Sequence, residues 1–237
     1  MNRTLKSLTA ASLIMMGTSP AFADTAASSD NPWMVRARVI NVMPDESGSL
    51  STGGTPLIGD VDIETSIVPE LDISYFLNEK IAFELILGVT PHDVSTKDLE
   101  VPVVGTLGSV DLGDVWLLPP TLTAQYHFTQ FGSFKPYIGA GVNYTLFFNE
   151  DEGSVADSID YDPSFGPALQ AGFDYDLDGE KGGWAINVDV KKVWINTDVT
   201  VDLTSALGTA LGAQSVIVDA DVDIDPVILG VGMGYKF

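Results

Sequence analysis

The sequence predicts an all-β chain: an eight-stranded antiparallel transmembrane β-barrel with short periplasmic turns and long extracellular loops. Three observations lead there. The chain opens on an export signal; apolar and polar residues alternate with period two through eight runs; and the links between those runs alternate short and long.

The opening "MNRTLKSLTAASLIMMGTSPAFA" places Arg3 and Lys6 before an apolar stretch, then Ala21-Phe22-Ala23. A basic start, a short apolar run and an A-x-A site describe a cleaved secretory signal. The apolar run is too short to cross a bilayer. Residues 1–23 are therefore expected to be removed, leaving 24–237 as the barrel. No later window reaches the roughly 18 apolar residues of a spanning helix, so a membrane location requires a closed barrel.

The chain carries 33 Asp and Glu against 11 Lys and Arg, a formal charge of −22. Loss of Arg3 and Lys6 with the signal makes the mature chain more acidic still. Such acidity repels phosphate backbones and argues against nucleic acid as a partner. The absence of cysteine excludes disulfides and thiolate metal sites.

The first run, residues 33–42, sets Trp33, Val35, Ala37 and Val39 against Met34, Arg36 and Arg38. The second, 64–76, opposes Ile67, Leu71, Ile73 and Tyr75 to Glu70, Asp72 and Ser74. The third, 81–90, opposes Phe83, Leu85 and Leu87 to Glu84, and the fourth, 115–128, opposes Trp116, Leu122, Tyr126 and Phe128 to Thr123, Gln125 and His127. The fifth, 135–148, has Ile138, Val142 and Tyr144 facing away from Gly139, Gly141 and Asn143; the sixth, 164–177, has Leu169, Phe173 and Tyr175 facing away from Gln170 and Asp174. The seventh, 184–198, opposes Trp184, Ile186, Val188 and Val190 to Asn187, Asp189 and Lys191. The eighth, 221–237, finishes with Val231, Met233, Tyr235 and Phe237 on one face and Gly230, Gly232, Gly234 and Lys236 on the other.

The links at 77–80, 129–134 and 178–183 are short and carry turn residues such as Asn78-Glu79 and Asp178-Gly179. Those at 43–63, 91–114, 149–163 and 197–220 are long. Alternation alone leaves open which face points inward, since an exported soluble barrel of lipocalin type would be apolar inside. The asymmetry of the links, the aromatic residues near run ends and the terminal Phe237 favour the membrane reading.

Several stretches resemble the OmpW family of bacterial outer-membrane proteins: "PWMVRARVINVMP", "ETSIVPELDISYFLNEKIAFELILGVTPHDV", "LPPTLTAQYHF", "FKPYIGAGVNYTLFF", "SFGPALQAGFDYDL", "WAINVDVKKVWINTDV" and "IDPVILGVGMGYKF". They cover nearly all of the mature chain, in order. The resemblance implies a location in the bacterial outer membrane, with the N-terminus and short turns in the periplasm. It also implies that Tyr235 and Phe237 form a C-terminal aromatic signal read by the outer-membrane assembly machinery. A narrow apolar lumen that admits small hydrophobic molecules is the function it implies.

The inward faces carry Arg36, Arg38, Glu70, Asp72, Glu84, Asp174, Asp189 and Lys191. In a narrow interior these charges must pair or meet water, which predicts an ion-pair plug with Glu70 and Asp72 as partners of Arg36 and Arg38. Leu57, Ile58, Val103, Val104 and Leu107 in the long links are candidates for an apolar entrance. Pro69 cannot donate to a ladder and is a candidate for lateral opening of the wall.

"DYDLDG" at residues 174–179 opens like a calcium loop, but its twelfth position is Ala185 rather than Glu, so it reads as a strand end and turn. Asp219, Asp221, Asp223 and Asp225 read as a solvated stem. His92 and His127 lie in no metal-ligand spacing, and no nucleophile elbow is present. The expectation is a non-enzymatic channel or carrier for small hydrophobic solutes, without metal or cofactor, among outer-membrane lipid and lipopolysaccharide. The alternative is a closed structural or adhesive barrel whose acidic loops bind ions, surfaces or partners.

Overall fold

The computed structural model describes residues 31–101, 105–152, 156–179, 182–212 and 215–237. The signal boundary expected at residue 23 lies outside them. In chain order the strands are β1 (Trp33–Met43), β2 (Ser47–Thr52), β3 (Thr55–Pro56), β4 (Ile58–Ile63), β5 (Ser66–Phe76), β6 (Ile81–Gly88), β7 (Thr90–Val101) and β8 (Gly105–Leu118). There follow β9 (Thr121–His127), β10 (Phe134–Glu152), β11 (Ser158–Tyr161), β12 (Ser164–Asp176), β13 (Gly183–Val193), β14 (Asn196–Asp202), helix α1 (Thr204–Leu211), β15 (Ile217–Asp223) and β16 (Val227–Lys236).

Eight of these strands close into a barrel in the order β12-β13-β16-β1-β5-β6-β9-β10, with β10 returning to pair with β12. Every neighbouring pair is antiparallel. Closure leaves no unpaired edge, the condition for a sheet to stand in hydrocarbon. Along each stave the exposed residues are apolar: Val39, Leu71, Leu85, Leu122, Ile138, Leu169, Val188 and Val231 face outward. Aromatics gather at the short-turn end, where Trp33 packs on Tyr75 at 4.8 Å and Trp184 on Tyr235 at 5.1 Å.

The long links are not irregular, and here the structure departs from the expected loops. β2, β3, β11, β14 and β15 form a five-stranded sheet, while β4, β7 and β8 extend the barrel sheet from β10. These strands stand as a second storey beyond the lipid-facing staves. Their alternation runs the other way: Leu50, Val61, Val94, Val199, Val218 and Val222 are buried together, and intervening residues such as Asp60, Asp198 and Asp221 are exposed. Apolar residues face inward where water surrounds the wall, as they face outward where lipid does.

The corners between the storeys explain why three expected runs break. Pro119 and Pro120 separate β8 from β9, and Pro226 separates β15 from β16. Proline lacks the N–H a central ladder needs. Asp225 before Pro226 adopts a left-handed φ of 36°, and its carboxylate accepts the Ile195 amide at 2.9 Å. Ile195 lies in the break between β13 and β14, so one contact pins two adjacent corners.

Candidate functional site

The charged residues expected to face inward meet in the lower barrel. Arg36 donates to Asp174 through Nε at 3.0 Å and Nη2 at 2.6 Å, a two-pronged contact, while Nη1 reaches Ser74 at 2.6 Å and Glu84. Arg38 lies 2.7 Å from Asp72, 3.0 Å from Glu70 and 2.6 Å from Asp189. Lys191 donates to both oxygens of Glu70 at 2.5 and 2.6 Å. Gln125 and Gln170 donate to Glu84 at 2.7 and 2.9 Å, and Gln170 also to Asp189 at 2.7 Å.

The partners differ from expectation in one respect. Arg36 lies in register with Asp72 but pairs with Glu84 and Asp174, leaving Glu70 and Asp72 to Arg38. Arginine is long enough to cross a small barrel, so register does not fix its partner. Below this network the tilted rings of Phe76 and His127 pack at 5.0 Å and those of His127 and Tyr137 at 4.9 Å, and Lys236 lies over the Phe76 ring at 3.8 Å. The short-turn end is thereby filled by side chains.

Above the network the inward face changes character on three adjoining or facing staves. On β1 the buried series runs Arg36, Arg38, Ile40, Val42; on β5 it runs Asp72, Glu70, Val68; on β13 it runs Asp189, Lys191, Val193. Register aligns the changes, since Ile40 faces Val68 and Val193 faces Ala168. The Glu70–Lys191 pair is thus the floor of an apolar bore.

The bore has two chambers. The inner one encloses about 550 Å³ between atoms, open mouth included, among Ile40, Ile86, Val193 and Ile228, with Glu70 and Lys191 at its base. The outer one encloses about 730 Å³ by the same measure, among residues such as Leu50, Val94, Val199 and Val222 of the second storey. Phe147 and Tyr161, stacked at 5.3 Å, contribute an aromatic wall. His92, Leu117 and Ile224 line both chambers and form the neck between them.

His92 Nδ1 lies 2.8 Å from the Glu64 carbonyl oxygen. Burial lowers the pKa of His92 below the ordinary imidazole value, against the opposing effects of that carbonyl and of Asp93. The ring is therefore neutral at the neck.

Leu57 packs on the second-storey core and Ile58 is exposed, but neither lines a chamber. Leu107 belongs to β8, and Val103 and Val104 lie outside the described residues. The lining residues that sequence reasoning missed carried the same period-two signal, in "VTVDL" and "VDADVDI", with acids between the apolar positions.

Pro69 is exposed on the lipid face, opposite Val39 on β1. The β5–β6 register runs from Phe76–Ala82 to Glu70–Gly88 and ends beside it. Higher up the two stretches are joined again where the Glu64 amide donates to the Asp93 carbonyl at 3.1 Å. The end of the ladder adjoins the inner chamber, which Glu70 and Gly88 both line. Tyr235 and Phe237, stacked at 6.2 Å, are exposed at the short-turn end, where Phe237 and Trp33 exchange backbone hydrogen bonds at 2.8 and 3.1 Å.

A closed eight-stranded barrel with a lipid-facing apolar band, an ion-paired interior and a tall outer storey defines a small outer-membrane β-barrel protein. The chain belongs to the OmpW family, whose model matches residues 31–237. It is 44% identical to an uncharacterized outer-membrane protein, y4mB, of Sinorhizobium fredii, over 87% of this chain and 80% of that one. It is 34% identical to outer membrane protein AlkL of Ectopseudomonas oleovorans (81% and 76% covered) and 30% identical to the dibenzothiophene metabolism operon protein PahQ of Pseudomonas aeruginosa (88% and 90%). Among solved structures, OprG of Pseudomonas aeruginosa matches with a TM-score of 0.76 at 29% identity, covering 90% of this chain and 99% of that one. AlkL in lipid bilayers matches with a TM-score of 0.61 at 30% identity, covering 94% and 97%. The protein is therefore an outer-membrane barrel; bacterial barrels of this kind keep their short turns in the periplasm and their longer connections outside the cell.

Proposed function

We propose that the barrel conveys small hydrophobic molecules across the outer leaflet, taking them in through the outer storey and releasing them sideways into the membrane. The observation that carries this reading is the apolar bore whose neck joins two chambers and whose floor is the Glu70–Lys191 ion pair. An apolar solute gains by leaving water for such a lining, and it cannot cross a floor of paired charges without disrupting them. The wall beside Pro69, where the β5–β6 register ends, is the exit. A relative named for a dibenzothiophene metabolism operon supports an apolar, aromatic solute class.

The same reading has the chain enter the periplasm by cleavage after residue 23 and present Tyr235 and Phe237 to the assembly machinery. It has the acidic outer storey stand among lipopolysaccharide, and it assigns the barrel no catalytic step. The test is uptake of a fluorescent naphthylamine by cells whose lipopolysaccharide leaflet slows its entry, with and without the protein. Faster uptake together with near-silent ion conductance in planar bilayers is expected. Uptake equal to that of cells lacking the protein would leave the closed structural barrel as the better reading.

A further inference from the structure

Every residue lining the outer chamber is buried except two: Phe147 and Tyr161 are partly exposed. Their rings lie almost parallel, 12° apart with centroids at 5.3 Å, and the lining meets the surface at this pair. Register explains why. β10 and β12 are joined from Phe134–Tyr175 up to Thr145–Ser164 and no farther. Above that point β10 pairs with β8, from Leu146–Leu118 outward, while the other limb passes Pro163 and continues as β11, which pairs with β14. The Asp162 amide donates to the Asp198 carbonyl at 3.0 Å, and the Thr197 hydroxyl donates to the Asp162 carbonyl at 2.7 Å, drawing this limb away from β10. Among the described residues no ladder joins β10 to β11, so the two limbs form a fork. Phe147 and Tyr161 stand just above its apex, one on each limb. On the other flank of the storey the Leu57 amide ties back to the Leu50 carbonyl at 2.8 Å; at the fork a pair of rings fills the gap.

The outer face of the fork is aromatic too. Tyr144 and Phe165 are register partners one step below the apex, 46% and 70% exposed, and Phe148 is exposed above it beside Trp116. These residues carry the lipid-facing surface of β10 and β12 up to the gap. Aromatic rings attract one another in offset-stacked and edge-on arrangements beyond what burial of their area supplies. A flat aromatic molecule passing between Phe147 and Tyr161 exchanges one stacked contact for two. A puckered saturated molecule of the same size parts the rings and restores neither contact.

We infer that the fork between β10 and β11 is the mouth of the bore and that Phe147 and Tyr161 are its gate, which admits flat aromatic solutes in preference to saturated ones of the same size. The inference rests on the reading of the bore as a solute path, and it adds the place of entry and the class that enters.

The test uses naphthylamine uptake by cells that express the full chain. The chain has no cysteine, so Phe148→Cys and Asp160→Cys, both at exposed positions on opposite limbs, can be joined by a reversible bis-thiosulfonate crosslinker, with mass spectrometry reporting the link. Joining the limbs should slow uptake several-fold and reductant should restore it, whereas each single-cysteine variant treated alike should keep its rate. Competition by naphthalene and by decalin, its saturated counterpart, each at the same fraction of its solubility, should favour naphthalene. Phe147→Leu and Tyr161→Leu should each reduce that preference by about two- to tenfold while uptake persists. Full-rate uptake with the limbs joined, or an unchanged preference in both leucine variants, would overturn the inference and leave the bore standing. Uptake no faster than that of cells lacking the protein would overturn both.

Discussion

Arg38 and Asp189 meet at 2.6 Å although a whole strand, β16, stands between their own strands in the barrel wall. They meet because β16 turns Gly230 and Gly232 toward them. A β-carbon on Gly230 would sit 2.7 Å from Asp189 Oδ1; one on Gly232 would sit 2.1 Å from the Ala37 carbonyl and 2.8 Å from Arg38 Cγ. The nearly empty face of the last strand is the space through which the plug is tied.

Gly232→Ala is therefore expected to destabilise the folded barrel by about 1–3 kcal/mol through overpacking alone. Gly232→Val should cost more, because it also parts Arg38 from its carboxylates. Urea unfolding in lipid vesicles, read by gel mobility and tryptophan emission, gives the difference. A Gly232→Val barrel of unchanged stability would contradict this account of the glycine face.

Lys191 and Glu70 close the bore, and Glu70 also lies 3.0 Å from Arg38. Removing one partner of a buried pair strands the other, at a cost of about 3–5 kcal/mol. Lys191→Met should be destabilised on that scale, whereas Lys191→Met combined with Glu70→Gln should recover much of the loss. A double-mutant cycle in the same unfolding assay measures the coupling, and additive losses would show that the pair is not linked.

Pro69 stands where the β5–β6 register ends. Pro69→Ala restores an N–H at the end of the ladder and is expected to slow naphthylamine uptake several-fold without altering binding in the chambers. Uptake at the unsubstituted rate would remove Pro69 from the exit.

The lower storey was legible because one rule governs it: apolar residues face lipid, and the charges between them face each other. Alternation put Arg36, Glu84 and Asp174 on one kind of face, and the alternating link lengths with the terminal Phe237 turned that face inward. Their pairing could not be read in this way, since it depends on reach across the barrel rather than on register. The upper storey obeys the reverse rule, and nothing in the alternation itself marks the changeover. "VDADVDI" alternates as regularly as "WAINVDV", but its apolar face points inward because water, not lipid, lies outside. The prolines at 119, 120 and 226 were the available signs of the boundary.

His92 offers a check through titration. Its pKa in the folded chain lies below the ordinary value of 6.5, so as pH falls the unfolded chain takes up this proton first. By linkage, stability rises with pH between the folded and unfolded values, and protonation of His92 costs stability only as pH drops below about 6.5. At pH 6.5, where a free imidazole is half charged, the ¹⁵N signals of His92 should report mainly the neutral ring, protonated at Nδ1. A midpoint at or above 6.5 would mean that the neck is wet.

The neck supplies the sharpest test of the path. Ile224 and Leu117 line both chambers and are 4% exposed each, so a bulkier side chain at either position has only the bore to expand into. Leu117→Trp should cost about 1–3 kcal/mol of stability through overpacking while leaving the lower plug intact. It should reduce naphthylamine uptake toward that of cells lacking the protein, and the periplasmic half should keep its tryptophan and tyrosine signals. Leu117→Ala, which widens the neck, should leave uptake undiminished. If Leu117→Trp folds, reaches the outer membrane and still conveys the solute at the original rate, the bore is not the route, and entry must lie along the lipid-facing wall.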